Sequence, residues 1–149
     1  LRLAMPIGST GPKITDAGLK SLKDVKNLQY LDVGGTKITD AGVKALSDVK
    51  KLRILIAWGT GVTDAGAASL KGLKELEVLG LAGTKVTGVG LKNLKNVKTL
   101  RTLNLVGNPV KDAGVKEIKE LASLQILALS NTAVTDASMK DLKGLDELQ

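Results

Sequence analysis

Five aspartates, Asp16, Asp40, Asp64, Asp112 and Asp136, stand at multiples of 24 residues from one another. A row of carboxylates could serve as paired acid and base, or gather oxygen ligands around calcium. This row fits neither chemistry. Its members are one or more periods apart, so they cannot converge on one ion, and each sits where a helix begins. Other catalytic signals are equally thin. The chain has no His and no Cys, which removes the commonest general base, the commonest metal ligand and all thiolate chemistry. No Ser stands in a nucleophile elbow, or in an S-x-x-K arrangement with partners to activate it. "GLAGTK" at Gly80–Lys85 lacks the spacing of a phosphate loop, and every period carries a version of that turn. The residues therefore predict no enzyme, no cofactor and no metal.

The aspartates belong to a larger pattern. Near-identical stretches start at Ile14, Ile38, Val62, Val86, Val110 and Val134, each 24 residues after the last; "ITDAGLKSL", "ITDAGVKAL" and "VTDAGAASL" are the first three. A fixed period of this size is the mark of a solenoid. Each unit has two halves. The second reads L-x-x-L-x-L, as at Leu28, Leu31 and Val33, and alternation of period two predicts a short strand buried on one face. The first has apolar residues at Leu19, Leu22 and Val25 behind a helix-start signal. Thr15 or Asp16 is suited to cap that helix, and the Asp column complements its dipole. Gly18, Gly42, Gly66, Gly90 and Gly114 recur in the first turn, where a helix favours Ala; close approach of the neighbouring unit explains them. A spacing of three drifts around an α-helix, so the helix should end near Lys26.

One unit cannot bury its apolar side alone. Stacking aligns Leu28, Leu52, Leu76, Leu100 and Leu124 in one row and Leu31, Leu55, Leu79, Leu103 and Leu127 in another. Strands pack ~4.8 Å apart and helices ~10 Å apart, so the stack curves with a parallel sheet inside. The expected fold is a right-handed α/β solenoid, a single domain over residues 1–149. It has a partial unit at 1–13, full units from 14, 38, 62, 86 and 110, and an incomplete one at 134–149. In the partial unit, Thr10 aligns with Thr36 if Gly11-Pro12 is an insertion. Neither end carries a polar cap, so the sequence reads as part of a longer array or as a chain that self-associates end to end.

The pattern LxxLxLxxT followed by (I/V)TDAGLxxL resembles a leucine-rich repeat across essentially the whole chain. Its "ITDAGL" segment is similar to the cysteine-containing subclass, and its 24-residue period to bacterial versions. That family carries Asn or Cys where this chain has Thr10, Thr36, Thr60, Thr84 and Thr132, and only Asn108 keeps the Asn. In the family that side chain bonds turn backbone between coils, and a Thr hydroxyl has fewer bonds to offer. The resemblance implies a non-catalytic scaffold with a protein partner on the concave sheet.

Exposed strand positions on that sheet are Tyr30, Asp32 and Gly34; Ile54, Ile56 and Trp58; Val78, Gly80 and Ala82; Thr102, Asn104 and Val106; Ile126, Ala128 and Ser130. The only Trp and the only Tyr fall here, among apolar residues that should meet water. Exposed apolar patches and aromatics mark binding surfaces. The candidate site is Tyr30, Asp32, Ile54, Ile56, Trp58, Val78, Thr102, Asn104, Val106 and Ile126. Two other readings are that Ile and Val simply suit a sheet and that the patch is a self-contact.

The formal net charge is +7, chiefly from Lys. Three columns hold the lysines: 20, 44, 92, 116 and 140; 23, 71, 95, 119 and 143; 26, 50, 74 and 98. All fall on the convex side, either as a solvated face or as a ridge for polyanions or anionic surfaces. Nucleic acid is the less favoured partner, since this face lacks the aromatics and Arg of such binders. A structural spacer of a cell-surface protein is a further alternative. No apolar run approaches the ~20 residues of a membrane span, and no secretory signal is visible. The first residues lie inside a repeat, which leaves localisation open.

Overall fold

The computed structural model describes residues 2–3, in backbone only, and 14–149. Thr10 and the Gly11-Pro12 step of the partial first unit lie outside them. Among the described residues, six short strands form one parallel sheet in sequence order: β1 (Arg2–Leu3), β2 (Tyr30–Asp32), β3 (Ile54–Ile56), β4 (Val78–Gly80), β5 (Thr102–Asn104) and β6 (Ile126–Ala128). From β2 onward the register advances 24 residues per strand: Tyr30 pairs with Ile54, Ile54 with Val78, Val78 with Thr102 and Thr102 with Ile126.

The pleat sends alternate side chains to opposite faces. Leu31, Leu55, Leu79 and Leu103 point inward and are fully buried, as are Val33, Ala57, Leu81 and Leu105. These rows, with Leu28, Leu52, Leu76, Leu100 and Leu124, form one continuous aliphatic core. The corresponding residues in and just after the last strand, Leu127 and Leu129, are only partly buried. Each strand from β2 onward ends in a turn that needs a left-handed residue: Gly35, Gly59, Gly83 and Gly107 have φ between 63° and 70°, and Asn131 takes the place with φ 56°. Glycine meets no steric penalty there, and Asn tolerates it better than most.

The helical halves are α1 (Asp16–Lys20), α2 (Asp40–Ala45), α3 (Asp64–Ser69) and α4 (Asp112–Ile118). Three pass into 3-10 turns, at Ser21–Asp24, Leu46–Asp48 and Leu70–Gly72. The spacing of three now has its explanation. In a 3-10 helix residues i and i+3 eclipse, so Val43, Leu46 and Val49 all stay on the core side and are buried. Two units depart from the expected helix. The unit from Val86 has no α-helix, only a 3-10 turn at Leu91–Leu94. Residues Asp136–Gly144 are wholly 3-10. This architecture is an α/β leucine-rich-repeat solenoid, with the sheet on one side and the helices on the other.

Candidate protein-interaction surface

The inner face of the sheet holds the residues singled out from sequence, and the pleat does bring them together. They are less wet than expected. Tyr30, Asp32, Ile54, Ile56, Val78, Thr102, Asn104 and Val106 are half-buried; only Trp58, at 38% exposure, and Ile126, at 53%, are open. Close strand spacing lets each side chain shade its neighbours. Gly80, expected to be exposed, is buried because Ile56 leans over it: a Cβ there would lie 2.9 Å from Ile56 Cδ1.

Trp58 leans the other way. Its indole lies across Gly34 and Gly35, so that a Cβ on Gly34 would collide with the five-membered ring at Nε1 and one on Gly35 would come 3.1 Å from Cη2. A glycine at position 34 is what allows a ring to lie flat at position 58. The result is a shelf with one face seated on backbone and the other free.

Two polar members of the face, Asp32 and Asn104, are already engaged. Asp32 Oδ1 accepts the Gly34 N–H at 2.9 Å, and Asn104 Oδ1 accepts the Val106 N–H at 3.0 Å. Arg53 donates to Glu77 Oε1 through Nε (2.9 Å) and Nη2 (2.7 Å). Arg101 donates to the Ser123 carbonyl at 2.9 Å and meets Glu147 at 3.4 Å. A shallow depression of about 300 Å³ lined by Gln29, Tyr30, Arg53, Ile54 and Glu77 lies at the start of β2–β4.

The outer face carries the lysine columns, all exposed. Where the helix is missing, Lys71, Lys92, Lys95, Asn93, Asn96, Glu117 and Glu120 line an open trough of about 430 Å³. The Ser47–Lys50 pair has S-x-x-K spacing, but the ammonium bonds the Ser47 carbonyl rather than its hydroxyl.

The Asp column does different work from the capping expected of it. Thr39, Thr63 and Thr135 are the N-caps, their hydroxyls accepting the amides of Ala41, Ala65 and Ala137. Thr15 occupies the same position without a side-chain cap bond. Asp16, Asp40, Asp64 and Asp112 are each the first residue of their helices and reach into the next coil. Asp16 accepts the Thr39 amide (2.8 Å) and hydroxyl (2.6 Å). Asp40 holds Thr63 in the same way, and Asp112 holds Thr135. Asp64 holds Thr87 and also the amides of Gly88 and Gly90.

The Gly column makes room for these clamps. A Cβ on Gly42 would collide with Asp16 Oδ1 and one on Gly66 with Asp40 Oδ1. For Asp16, burial pushes the pKa up but is outweighed by the Thr39 hydroxyl and amide, the Gly42 amide and Lys20, so the carboxyl sits below its ordinary value. For Asp112 the Thr135 amide and hydroxyl, with Ser138, hold it low.

The Thr column also differs from expectation. Thr36, Thr60, Thr84 and Thr132 donate to carbonyls three residues back in their own turns, at 2.7–2.8 Å, and none of these hydroxyls donates across coils. Asn108 does bridge. It accepts the Thr84 amide (3.0 Å) and donates to the Thr84 hydroxyl (2.9 Å) and the Val86 carbonyl (3.4 Å).

The clamp was missed from sequence, although a signal exists. The one unit with Gly88 in place of Asp is followed by the one unit with Lys111 in place of Thr. Both partners of a pair vanish together.

A leucine-rich-repeat family model matches residues 26–47 and 98–119. No curated protein matches the chain in sequence. Among solved structures, an internalin (inlF) of Listeria monocytogenes superposes with a TM-score of 0.75 at 24% identity, covering 87% of this chain and 36% of that one. A second Listeria monocytogenes protein, internalin C2, gives a TM-score of 0.62 at 22% identity over 90% and 63%. A TDR receptor gives 0.60 at 23% over 77% and 20%. The chain thus spans about a third, under two thirds and a fifth of these neighbours. They share its fold.

Proposed function

We propose that the chain is a non-catalytic interaction scaffold whose protein partner sits on the inner face of the sheet. The observation that carries this reading is Trp58, an aromatic shelf laid on glycine backbone and left open amid Tyr30, Ile54, Ile56 and Val78. Aromatic anchors surrounded by aliphatics are the usual energetic centre of an interface. Thr102, Asn104, Val106, Ile126 and Asp32 form the rim.

The charge distribution narrows the partner. Arg53 is matched by Glu77 and Arg101 by Glu147, and Asp32 accepts the Gly34 amide just past its own strand. The fixed positive charge is on the other side. The complementary surface is therefore neutral and apolar, and its binding should respond weakly to salt. Likeness of the "ITDAGL" segments to the cysteine-containing subclass supports reading residues 1–149 as one repeat domain.

The test is capture of a partner from source lysate at low and high salt. Wild type is compared with Tyr30→Ala/Trp58→Ala and with Lys44→Gln/Lys92→Gln/Lys116→Gln. Loss with the aromatic pair alone, at both salt concentrations, supports the reading; a loss of more than ~1 kcal/mol per aromatic is the expected scale. A partner kept by the aromatic variant but lost in salt, or with the lysines, assigns binding to the outer face.

That second reading rests on the lysine columns, every member of which is exposed. It takes a polyanion or anionic surface, and its affinity falls steeply with salt.

A further inference from the structure

Among the described residues, four of the five outer corners between successive coils are locked by an Asp–Thr clamp: 16 to 39, 40 to 63, 64 to 87 and 112 to 135. The corner where residues 84–90 stack on 108–114 is the exception. Gly88 and Lys111 replace both clamp partners, and the coil has no α-helix. Gly88 takes φ +98°, and a Cβ there would lie 2.9 Å from the Gly114 Cα, so two backbones meet where Asp16, Asp40 and Asp64 pack against the equivalent glycines of other corners.

Asn108 supplies the only side-chain bridge at this corner among the described residues, through three neutral hydrogen bonds. Charge-assisted bonds of the Asp type are roughly twice as strong as neutral ones. The rest of the junction is ordinary. Strands β5 and β6 pair in the common register, and Leu91, Leu94, Val115 and Ile118 are fully buried. The corner is weakened while the sheet is not, which is the construction of a hinge with its axis along the strands.

We infer that this corner is a built-in flexure between two stiffer blocks, one ending with β5 and the other starting at Val110. Opening or closing the corner changes the angle between β5 and β6. It moves Ile126 relative to Trp58 across the inner face, so the curvature presented to a partner is adjustable at this place.

The chain has no Cys, so spin labels can be placed cleanly. Two pairs of exposed positions span 72 residues each between equivalent turns: Lys26→Cys/Lys98→Cys crosses three clamped corners, and Lys50→Cys/Ala122→Cys crosses two and the exception. Pulsed dipolar distance measurements on the full chain should give a broader distribution for the second pair. Asn108→Thr, which installs the residue of the other turns, should broaden the second pair further and leave the first unchanged. Equal widths in the two wild-type pairs, or a change with Asn108→Thr that is absent or shared by both pairs, overturns the flexure. Neither readout depends on any partner, so this result stands apart from the test of the inner face.

Discussion

Asp64 holds Thr87 across 23 residues of chain, taking its hydroxyl at 2.6 Å and its amide at 3.1 Å. Two further amides, of Gly88 and Gly90, reach the same carboxylate. Removing the carboxylate strands these donors in a part-buried corner. Hydrogen bonds to charged groups contribute about 1.5–3 kcal/mol, so Asp64→Ala should destabilise by ~2–3 kcal/mol. Asp40→Ala, which loses only the two bonds to Thr63, should cost less. Urea melts of the two variants check the order; a smaller loss for Asp64→Ala contradicts it.

Acid should loosen the clamps. Asp16 and Asp112 have pKa values below the ordinary carboxylate value when folded. The unfolded chain therefore binds protons more readily, and stability rises with pH through that range. The contribution is complete above about pH 4, the unperturbed carboxylate range. It is lost as pH falls through the depressed folded values. Asp16→Asn/Asp112→Asn should flatten the acid limb of a stability–pH curve while leaving its shape above neutrality unchanged. An acid limb as steep as that of wild type would show that other carboxylates dominate.

The seat of Trp58 can be probed from beneath. Gly34→Ala puts a methyl group where the indole lies, and the ring must swing away from the sheet. Trp58 is the only Trp, so its fluorescence reports the change directly. The emission should shift to the red with little change in Tm, because the ring is at the surface and free to yield. An unshifted spectrum would mean that the indole does not rest there.

Packing along the core should be graded. Leu79 is fully buried between neighbouring coils, whereas Leu127 in the last strand is half-buried. Leu79→Ala should cost ~2–5 kcal/mol, the range for a well-packed leucine, and Leu127→Ala distinctly less. Chemical denaturation of the pair measures the difference.

The fold was legible because one rule, repeated every 24 residues, writes both the strand rows and the helix starts. The rows from Leu28 and Leu31 were placed correctly from spacing alone. The inner positions from Tyr30 to Ile126 were also placed on one face. What spacing could not show was how side chains lean between coils. Ile56 hides Gly80 and Trp58 covers Gly34, and both depend on the size of a residue 24 positions away. The Asp column looked like helix capping because a short polar side chain at a helix start usually bonds its own turn. Only the joint loss at Gly88 and Lys111 distinguishes a bond across coils from a bond within one.

Almost every side-chain bridge between coils spans 22 to 26 residues, one period give or take two. Length is therefore editable in whole periods. Excising 38–61 would bring Asp16 to Thr63, Gly66 into the place of Gly42, and Tyr30 beside Val78, so each clamp and each strand pairing finds an equivalent, although Trp58 and its seat on Gly34 are lost. Excising 86–109 would bring Asp64 to Lys111, which has no hydroxyl to offer, and would discard Asn108. The first cut removes a segment that is interchangeable for the coil-to-coil clamps. The second removes the one segment whose neighbours are matched to it alone.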